Sequence, residues 1–392
     1  MIEINLQSVA YNIFFGFLFF LWLVRDHQRI RLGDRLKNGS LKWIWLFFVI
    51  YTPIMTIAVI FIFHSDVSLA ITTAIRDGFL QGVNVYDPNL PEIDKVVQHL
   101  LKDGTTINGV YHYFPPDLFI HTFFFVLFGW LNGLIPQIYN FWFLLTNLFL
   151  LSILYPLVKQ IVNLENKRLF PIYAVFVSHF LMTNSTLMLL LFVIGYYFLQ
   201  RNKNSIGYTG YVMGASIKYA PGLHLIIHMI DDLKQSLDTR SMSNLIPYLF
   251  GSVILALTMI PFGFFNVLES TILYQGEIGR REGLATIQGP LLVEIMLHLD
   301  AMFEGLLGYY NIVFLLLSIL TLIFALKVGR NTYEKIMYLQ FIMLFLLPFM
   351  ATELFIVTMF HWFFVMILEN DDLDPLLEPV NSYPNSGLRK VL

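Results

Sequence analysis

Three ionisable residues lie in or beside long apolar runs, where charged groups are rarely tolerated. Asp66 follows the second long apolar run, Lys218 interrupts a later one and His361 lies within the last. An ionisable group at membrane depth or at the end of a membrane helix is costly, so each is a functional candidate. A carboxylate can act as a general base, an ammonium can bind a phosphate and an imidazole can act as acid or base. These residue types predict proton transfer next to a phosphate group.

Each candidate also has a purely structural interpretation. Asp66 is a suitable N-cap for a helix that starts at Val67, because Asp is favoured at that position. Lys218 can extend its ammonium to the membrane surface, although the neighbouring Tyr219 and Pro221 favour a phosphate contact at a helix break. These alternatives stay open at the level of the sequence.

Further candidates lie nearer the C-terminus. His361 is either a hydrogen-bonded packing residue or an acid, base or sugar-phosphate contact, and Glu353 lies two helical turns earlier on roughly the same face. Arg280 and Arg281 lie in a polar stretch, where they either bind a phosphate that protrudes from the lipid or form a solvated charged turn. The usual signatures of zinc proteases, α/β-hydrolases and nucleotide motors are missing from the sequence.

The composition excludes a soluble globular fold. The chain has 392 residues, of which 57% are hydrophobic and 13% charged, and its mean hydropathy is +0.67. Soluble domains contain about 25% charged residues, so most of this surface must face lipid. The net charge of −3 makes a nucleic-acid partner unexpected, and the absence of cysteine excludes disulfides and thiolate metal sites.

The apolar runs predict an all-α bundle of membrane helices. Basic residues are concentrated between positions 25 and 42, after the first run, so we expect this loop in the cytoplasm and the first helix as a retained anchor. The run 206–230 has Lys218 and Pro221 at its centre and predicts two half-helices. The basic residues Lys42 and Lys159 predict two cytoplasmic ends, and the chain between them must then cross the membrane an even number of times, although it has three apolar runs. The run 114–135 is interrupted by proline and glycine, so we predict that it is the one that is re-entrant or strongly tilted.

The predicted topology has about eleven crossings, with the long segments 64–117 and 266–304 as loops on the outer face. Within the first of these loops, 68–81 is predicted as a short amphipathic helix and 85–91 as a turn. Three parts result: an N-terminal anchor with its basic loop (1–42), a membrane bundle (43–368) and an acidic, disordered cytoplasmic tail (369–392).

Several short motifs, taken in order, resemble a known family. Gly-x-Asn-x-Tyr-Asp-Pro at 82–88 contains Tyr86 and Asp87, and Tyr-x-Tyr-Phe-Pro-Pro at 111–116 contains Tyr113. They are followed by Gly-x-x-x-Lys-Tyr-x-Pro at 214–221 and by the late helix with His361. This order resembles the GT-C membrane glycosyltransferases, and most closely glycosyltransferase family 87, whose members use polyprenyl-phosphate mannose.

The resemblance implies a role for each candidate. Asp66 would be the general base and His361 a second catalytic residue, while Lys218, Arg280 and Arg281 would hold the donor phosphate. An acceptor or donor pocket would contain the remaining candidates, which are Tyr86, Asp87, Tyr113, Tyr219 and Glu353. It further implies a GT-C-like bundle in the cell membrane with its active face outside, a lipid-linked sugar donor, a glycolipid or glycan acceptor, and no metal or other cofactor.

The sequence departs from the family pattern at two places, and other functions compete. The N-terminal helix is extra, and 90–109 is longer than the usual link between the first two motifs. A secondary transporter or lipid flippase would also use broken helices and a buried lysine, but we find no internal repeat. A polysaccharide polymerase or ligase and a non-catalytic scaffold remain as further alternatives.

Overall fold

The structure is a computed structural model, and it describes most of the predicted bundle. The described positions are 12–14, 16–20, 23, 42–61, 66–100, 106–135, 140–163, 166–178, 181–239, 242–273, 291–303, 305–346, 354, 357–362 and 364. Arg280, Arg281, Glu353 and the tail 369–392 lie outside the described residues. Asp66 is described as the first residue of a helix, but its side chain is not.

The fold is predominantly helical. In chain order the helices are α1 (Lys42–Phe61), α2 (Asp66–Thr73), α3 (Pro115–Phe128), α4 (Phe141–Val162), α5 (Asn166–Ser178), α6 (Ser185–Leu199), α7 (Asn204–Ile217), α8 (Ala220–Thr239), α9 (Ile246–Met259), α10 (Phe264–Leu268), α11 (Leu291–Met302), α12 (Tyr310–Val328) and α13 (Thr332–Leu346). Positions 12–14, 16–20, 23, 354, 357–362 and 364 are also helical.

Within the part of the chain that the structure describes, three helices are long and apolar enough to cross a membrane: Phe141–Val162, Met242–Phe262 and Tyr310–Val328. The last two are mostly exposed along their length, and their outward side chains include Leu257 and Leu320. Apolar stripes of this size need lipid or another apolar environment. These helices indicate a membrane protein, while the number of eleven crossings stays a prediction.

The first predicted outer loop has more structure than the sequence suggested. The predicted helix 68–81 is confirmed: α2 continues through a π-turn (Ala74–Gly78) into a 3-10 turn that ends at Gln81. The prediction of an all-α fold is wrong in one place, because β1 (Val97–Leu100) and β2 (Thr106–Gly109) form an antiparallel hairpin. β1 packs on α2, and the Gln98 amide donates to the Thr73 hydroxyl at 2.9 Å.

The second predicted loop, 266–304, is helical at both described ends. α10 and a following π-turn (Glu269–Leu273) occupy its start, and α11 occupies its end. The sequence did not predict these helices, and the placement of 266–304 on the outer face stays a prediction. Apolar side chains at Val293 and Met296 explain the difference, because they face a small core with Tyr310.

The interruption predicted in 114–135 is present. α3 ends at Phe128, and a 3-10 turn (Gly129–Gly133) follows. Whether this segment is re-entrant stays a prediction. α3 begins at Pro115-Pro116, where proline is tolerated because the first helical amides need no partner within the helix.

Two glycines let α6 and α7 pack backbone to backbone. A Cβ at Gly210 would lie 2.8 Å from the backbone nitrogen of Gly195 and 2.9 Å from the Leu191 carbonyl oxygen. We expect Gly210→Ala to lower the free energy of unfolding by about 2 kcal/mol, because overpacking outweighs the gain of at most about 1 kcal/mol in helix propensity.

Thermal unfolding in detergent measures this effect. Gly133→Ala is the matched control, because a Cβ there meets nothing within 4 Å. If the two variants unfold at the same temperature, the close packing of α6 and α7 is not as described.

Candidate functional site

The predicted break at Lys218 is confirmed. α7 ends at Ile217, Lys218 is extended (φ −146°, ψ 137°), and α8 begins at Ala220. Pro221 causes the break, because it has no amide hydrogen to donate to the Ile217 carbonyl and its ring would clash with that carbonyl. Lys218 therefore lies between the two helices and belongs to neither.

The break lies against the loop that precedes α3. The Lys218 ammonium is 5.2 Å from the centre of the Tyr113 ring, a cation–π distance. The ring of Tyr113 packs on His112, with ring centres 4.3 Å apart. Thus two sequence candidates more than a hundred positions apart, Tyr113 and Lys218, are in contact.

A buried carboxylate lies directly beneath this loop. Asp117, in the first turn of α3, accepts a hydrogen bond from the Tyr111 hydroxyl and one from the Asn184 amide at 3.4 Å. His121, one turn later, places Nδ1 2.9 Å from the Asp117 carbonyl oxygen and 3.2 Å from its carboxylate. Asp117 therefore ties together the loop, α3 and the start of α6.

The motif with Tyr86 and Asp87 builds the wall of the same region. The Tyr86 ring is fully buried and contacts the Tyr111 and Phe262 rings at centre distances of 5.7 and 4.8 Å. Asp87 accepts a hydrogen bond from the Asn89 amide at 3.0 Å, which closes a turn. The predicted turn at 85–91 is confirmed, and within it the Asp87 carboxylate stabilises the backbone.

α2, which begins at Asp66, is attached to the same layer. Ser68 accepts a hydrogen bond from the Asn140 amide at 3.2 Å, and Thr72 accepts one from the Trp142 indole at 3.2 Å. Trp142 in turn lies edge-on to His121, with ring centres 6.5 Å apart. α2 is thereby connected to the Asp117 cluster, and the catalytic role of Asp66 stays a prediction.

His361 lies elsewhere. Its Nε2 donates to the Tyr333 carbonyl at 3.1 Å, and its ring is 4.6 Å from that of His224 on α8. His224 is four residues beyond Ala220, where α8 begins, which is about 6 Å along the helix. In this structure His361 therefore belongs to the bundle interior, where its described neighbours include Tyr333 and His224. Tyr219, next to the break, packs half-buried against the core.

The sequence reasoning did not select Asp117, His112, His121 or Asn184 for the site. One signal was available for Asp117, because a carboxylate directly after Pro115-Pro116 opens an otherwise apolar helix. No comparable signal marks Asn184, because its link to Asp117 joins positions 67 residues apart.

The site perturbs the pKa of several groups in the loop. Burial, and then the nearby Asp117 charge, raises the pKa of Tyr111 well above its usual value. Burial, followed by the closeness of His99 and Lys218, lowers the pKa of His112 well below its usual value. We therefore expect a protonated Tyr111 phenol and a neutral His112 imidazole near neutral pH.

The lowered pKa of His112 predicts a pH dependence of stability. In the unfolded chain histidine titrates at about 6.5, so below this pH the unfolded state binds more protons at this position than the folded state. Stability contributed by neutral His112 is thus present above about pH 6.5 and is lost as the pH falls toward the folded pKa. We expect His112→Gln to reduce the loss of unfolding free energy between about pH 7.5 and pH 5.

Chemical unfolding at both pH values measures the effect. His298→Gln, on α11, is the control, because it removes a partly exposed imidazole from a different part of the fold. An identical loss in His112→Gln and the parent protein would contradict the burial of a neutral imidazole at this position.

Among known proteins, no family model, no curated protein and no solved structure matches the chain.

Proposed function

We propose that the protein is an integral membrane glycosyltransferase of GT-C type. It transfers a sugar, mannose by resemblance, from a polyprenyl-phosphate donor to a glycolipid or glycan on the extracytoplasmic face of the cell membrane. The proposal includes about eleven crossings, with the segments 64–117 and 266–304 outside.

One observation carries the proposal. The Lys218 ammonium, at a helix break, lies over the Tyr113 ring of the loop that precedes α3. A lysine at such a break is a point charge suited to a phosphate, and aromatic rings suit the apolar face of a sugar or a prenyl chain. The two family-like motifs that supply these residues come together in space.

The proposed reaction balances without a further reactant. The Asp66 carboxylate takes the proton of an acceptor hydroxyl, whose oxygen forms the new bond to the anomeric carbon. The bond between that carbon and the phosphate oxygen breaks, and the electron pair leaves on the polyprenyl phosphate. Lys218 neutralises this leaving group, with Arg280 and Arg281 as further phosphate ligands on the outer segment.

A transfer assay tests the function. Purified protein in vesicles is incubated with a radiolabelled polyprenyl-phosphate sugar and candidate acceptors, and we expect label in the acceptor for the parent protein and a loss of at least about 100-fold for Asp66→Asn. Equal transfer by Asp66→Asn would refute the base assignment. Movement of the labelled lipid or sugar across the vesicle membrane without transfer would favour the transporter.

The orientation has its own test, made simple by the absence of native cysteine. We expect a single cysteine in Asn89→Cys, in the exposed turn after Asp87, to react with a membrane-impermeant maleimide added outside intact cells. Reaction only from the cytoplasmic side would overturn the outward assignment.

A further inference from the structure

The bundle interior contains a second group of titratable side chains, separate from the proposed transfer site. His224 and His361 are fully buried, and His228 follows His224 by one turn of α8. The rings of His224 and His361 meet edge to face, with centres 4.6 Å apart and planes at 88°. Ionisable side chains inside a membrane bundle are costly and rare, so buried imidazoles there are functional candidates.

Each of the two fully buried rings has one nitrogen without a described hydrogen-bond partner, and the two nitrogens are complementary as donor and acceptor. His361 Nε2 donates to the Tyr333 carbonyl, so its Nδ1 is an acceptor, and this atom has no protein partner. The Gln340 amide nitrogen lies 2.9 Å from His224 Nε2. Because an amide nitrogen only donates, His224 Nε2 accepts and Nδ1 carries the hydrogen, again without a protein partner. One ring thus offers a proton, and the adjacent ring offers a lone pair.

Polar groups continue from this pair toward the middle of α8. The His228 ring lies 6.4 Å from Tyr333 and 5.7 Å from Tyr208, and its Nε2 is also buried without a protein partner. The Tyr208 hydroxyl donates to the Asp232 carboxylate at 2.7 Å. Beside it, Asp231 forms a 2.6 Å ion pair with Lys335, and both of these side chains are partly exposed.

The other end of the group approaches the helix break. His224 is one turn, about 6 Å, from Ala220, where α8 begins. The aromatic groups around the pair come from α6, α7 and α13: Tyr196 faces His361, Tyr211 faces His224, and Tyr333 stacks on His361. Hydroxyl-bearing rings and imidazoles therefore extend along α8 from His224 to the Asp232 carboxylate.

We propose that His224, His228 and His361 form a proton relay inside the bundle, between the Asp231–Lys335 ion pair at the middle of α8 and the first turns of α8. A proton that reaches His224 makes its ring an imidazolium. The Nδ1 proton then passes through one bridging water molecule to the Nδ1 lone pair of His361, which leaves His224 neutral and His361 charged. Each step moves one proton and no electrons.

The described residues favour a proton over a metal ion as the species handled here. They contain no group of three His, Asp or Glu side chains that could hold a metal. The inference is independent of the proposed sugar transfer, because none of its residues serves there as the base or holds the phosphate. His361, expected from the resemblance to be a second catalytic residue, lies instead beside His224 in the bundle interior.

Proton flux in reconstituted vesicles tests the relay. The full-length protein is inserted into vesicles that contain an entrapped pH dye, and a potassium gradient with valinomycin drives proton entry in the absence of any sugar donor. We expect flux above that of protein-free vesicles. In His361→Gln the flux should fall at least tenfold, because glutamine can still donate to the Tyr333 carbonyl but cannot be protonated.

Controls separate the relay from misfolding. His224→Gln is the second relay variant, and His298→Gln, on α11 outside the relay, should retain the flux of the parent protein. All variants are compared by size-exclusion profile and unfolding temperature. Parent flux equal to protein-free vesicles, or unchanged flux in folded His224→Gln and His361→Gln, would overturn the proposal. Loss of sugar transfer with flux retained would overturn the transferase alone.

Discussion

We expect Lys218→Gln to lower kcat for transfer from a polyprenyl-phosphate sugar by about 100-fold or more. The leaving phosphate gains negative charge as its bond to the sugar breaks. The Lys218 ammonium, which lies next to the Tyr113 ring at the helix break, stabilises that charge. Glutamine is one bond shorter than lysine; it keeps a hydrogen-bond donor but removes the charge. The initial rate of label transfer, measured with saturating donor, reports the effect.

Two further variants define what the loss means. Lys218→Arg keeps the charge and should recover part of the rate, although a planar guanidinium fits the position less well. Lys203→Gln, at an exposed position before α7, should transfer as fast as the parent protein. Equal rates for Lys218→Gln and Lys203→Gln would show that Lys218 does not bind the leaving group.

The largest effect on stability is expected for Asp117→Ala, at about 3 kcal/mol of unfolding free energy. Its removal leaves the Tyr111 hydroxyl and the Asn184 amide buried without their acceptor, each costing about 1–3 kcal/mol. Asp117→Asn retains one acceptor oxygen and should lose less. Thermal or denaturant unfolding in detergent measures the series.

Asp77→Ala provides the matched control for Asp117→Ala. Asp77 pairs with Arg76 at 2.6 Å on the surface of the same outer segment, and exposed pairs contribute at most about 1 kcal/mol. If Asp117→Ala were no less stable than Asp77→Ala, the buried Asp117 cluster would not hold the loop as described.

Local sequence signals were sufficient for the helices and for the break. Pro221 within an apolar run and Pro115-Pro116 before another act on their immediate neighbours, so their effect is visible in the sequence. The hairpin of β1 and β2 was missed because its strands are short and weakly patterned. It is stabilised by contacts such as that of Gln98 with Thr73, a residue 25 positions away.

The candidate site could be predicted only in part. Tyr113 and Lys218 were selected from separate motifs, and their contact depends on how α7 and α8 pack beneath the outer loop. Asp117, by contrast, owes its position to partners from two other segments, which a linear pattern does not reveal. His361 was selected as an isolated histidine in an apolar helix, whereas its neighbour His224 became visible only through packing.

Donor binding at the contact of the loop with the helix break is the most direct test of the account. p-Benzoylphenylalanine is placed at Phe114, next to Tyr113, and at the exposed Phe170 of α5 as control, and each protein is irradiated with a radiolabelled polyprenyl-phosphate sugar. We predict strong labelling at Phe114 that excess unlabelled polyprenyl phosphate and Lys218→Gln both abolish, and only weak, non-competed labelling at Phe170. Equal labelling at both positions, insensitive to the competitor and to Lys218→Gln, would contradict a lipid-phosphate site at the break.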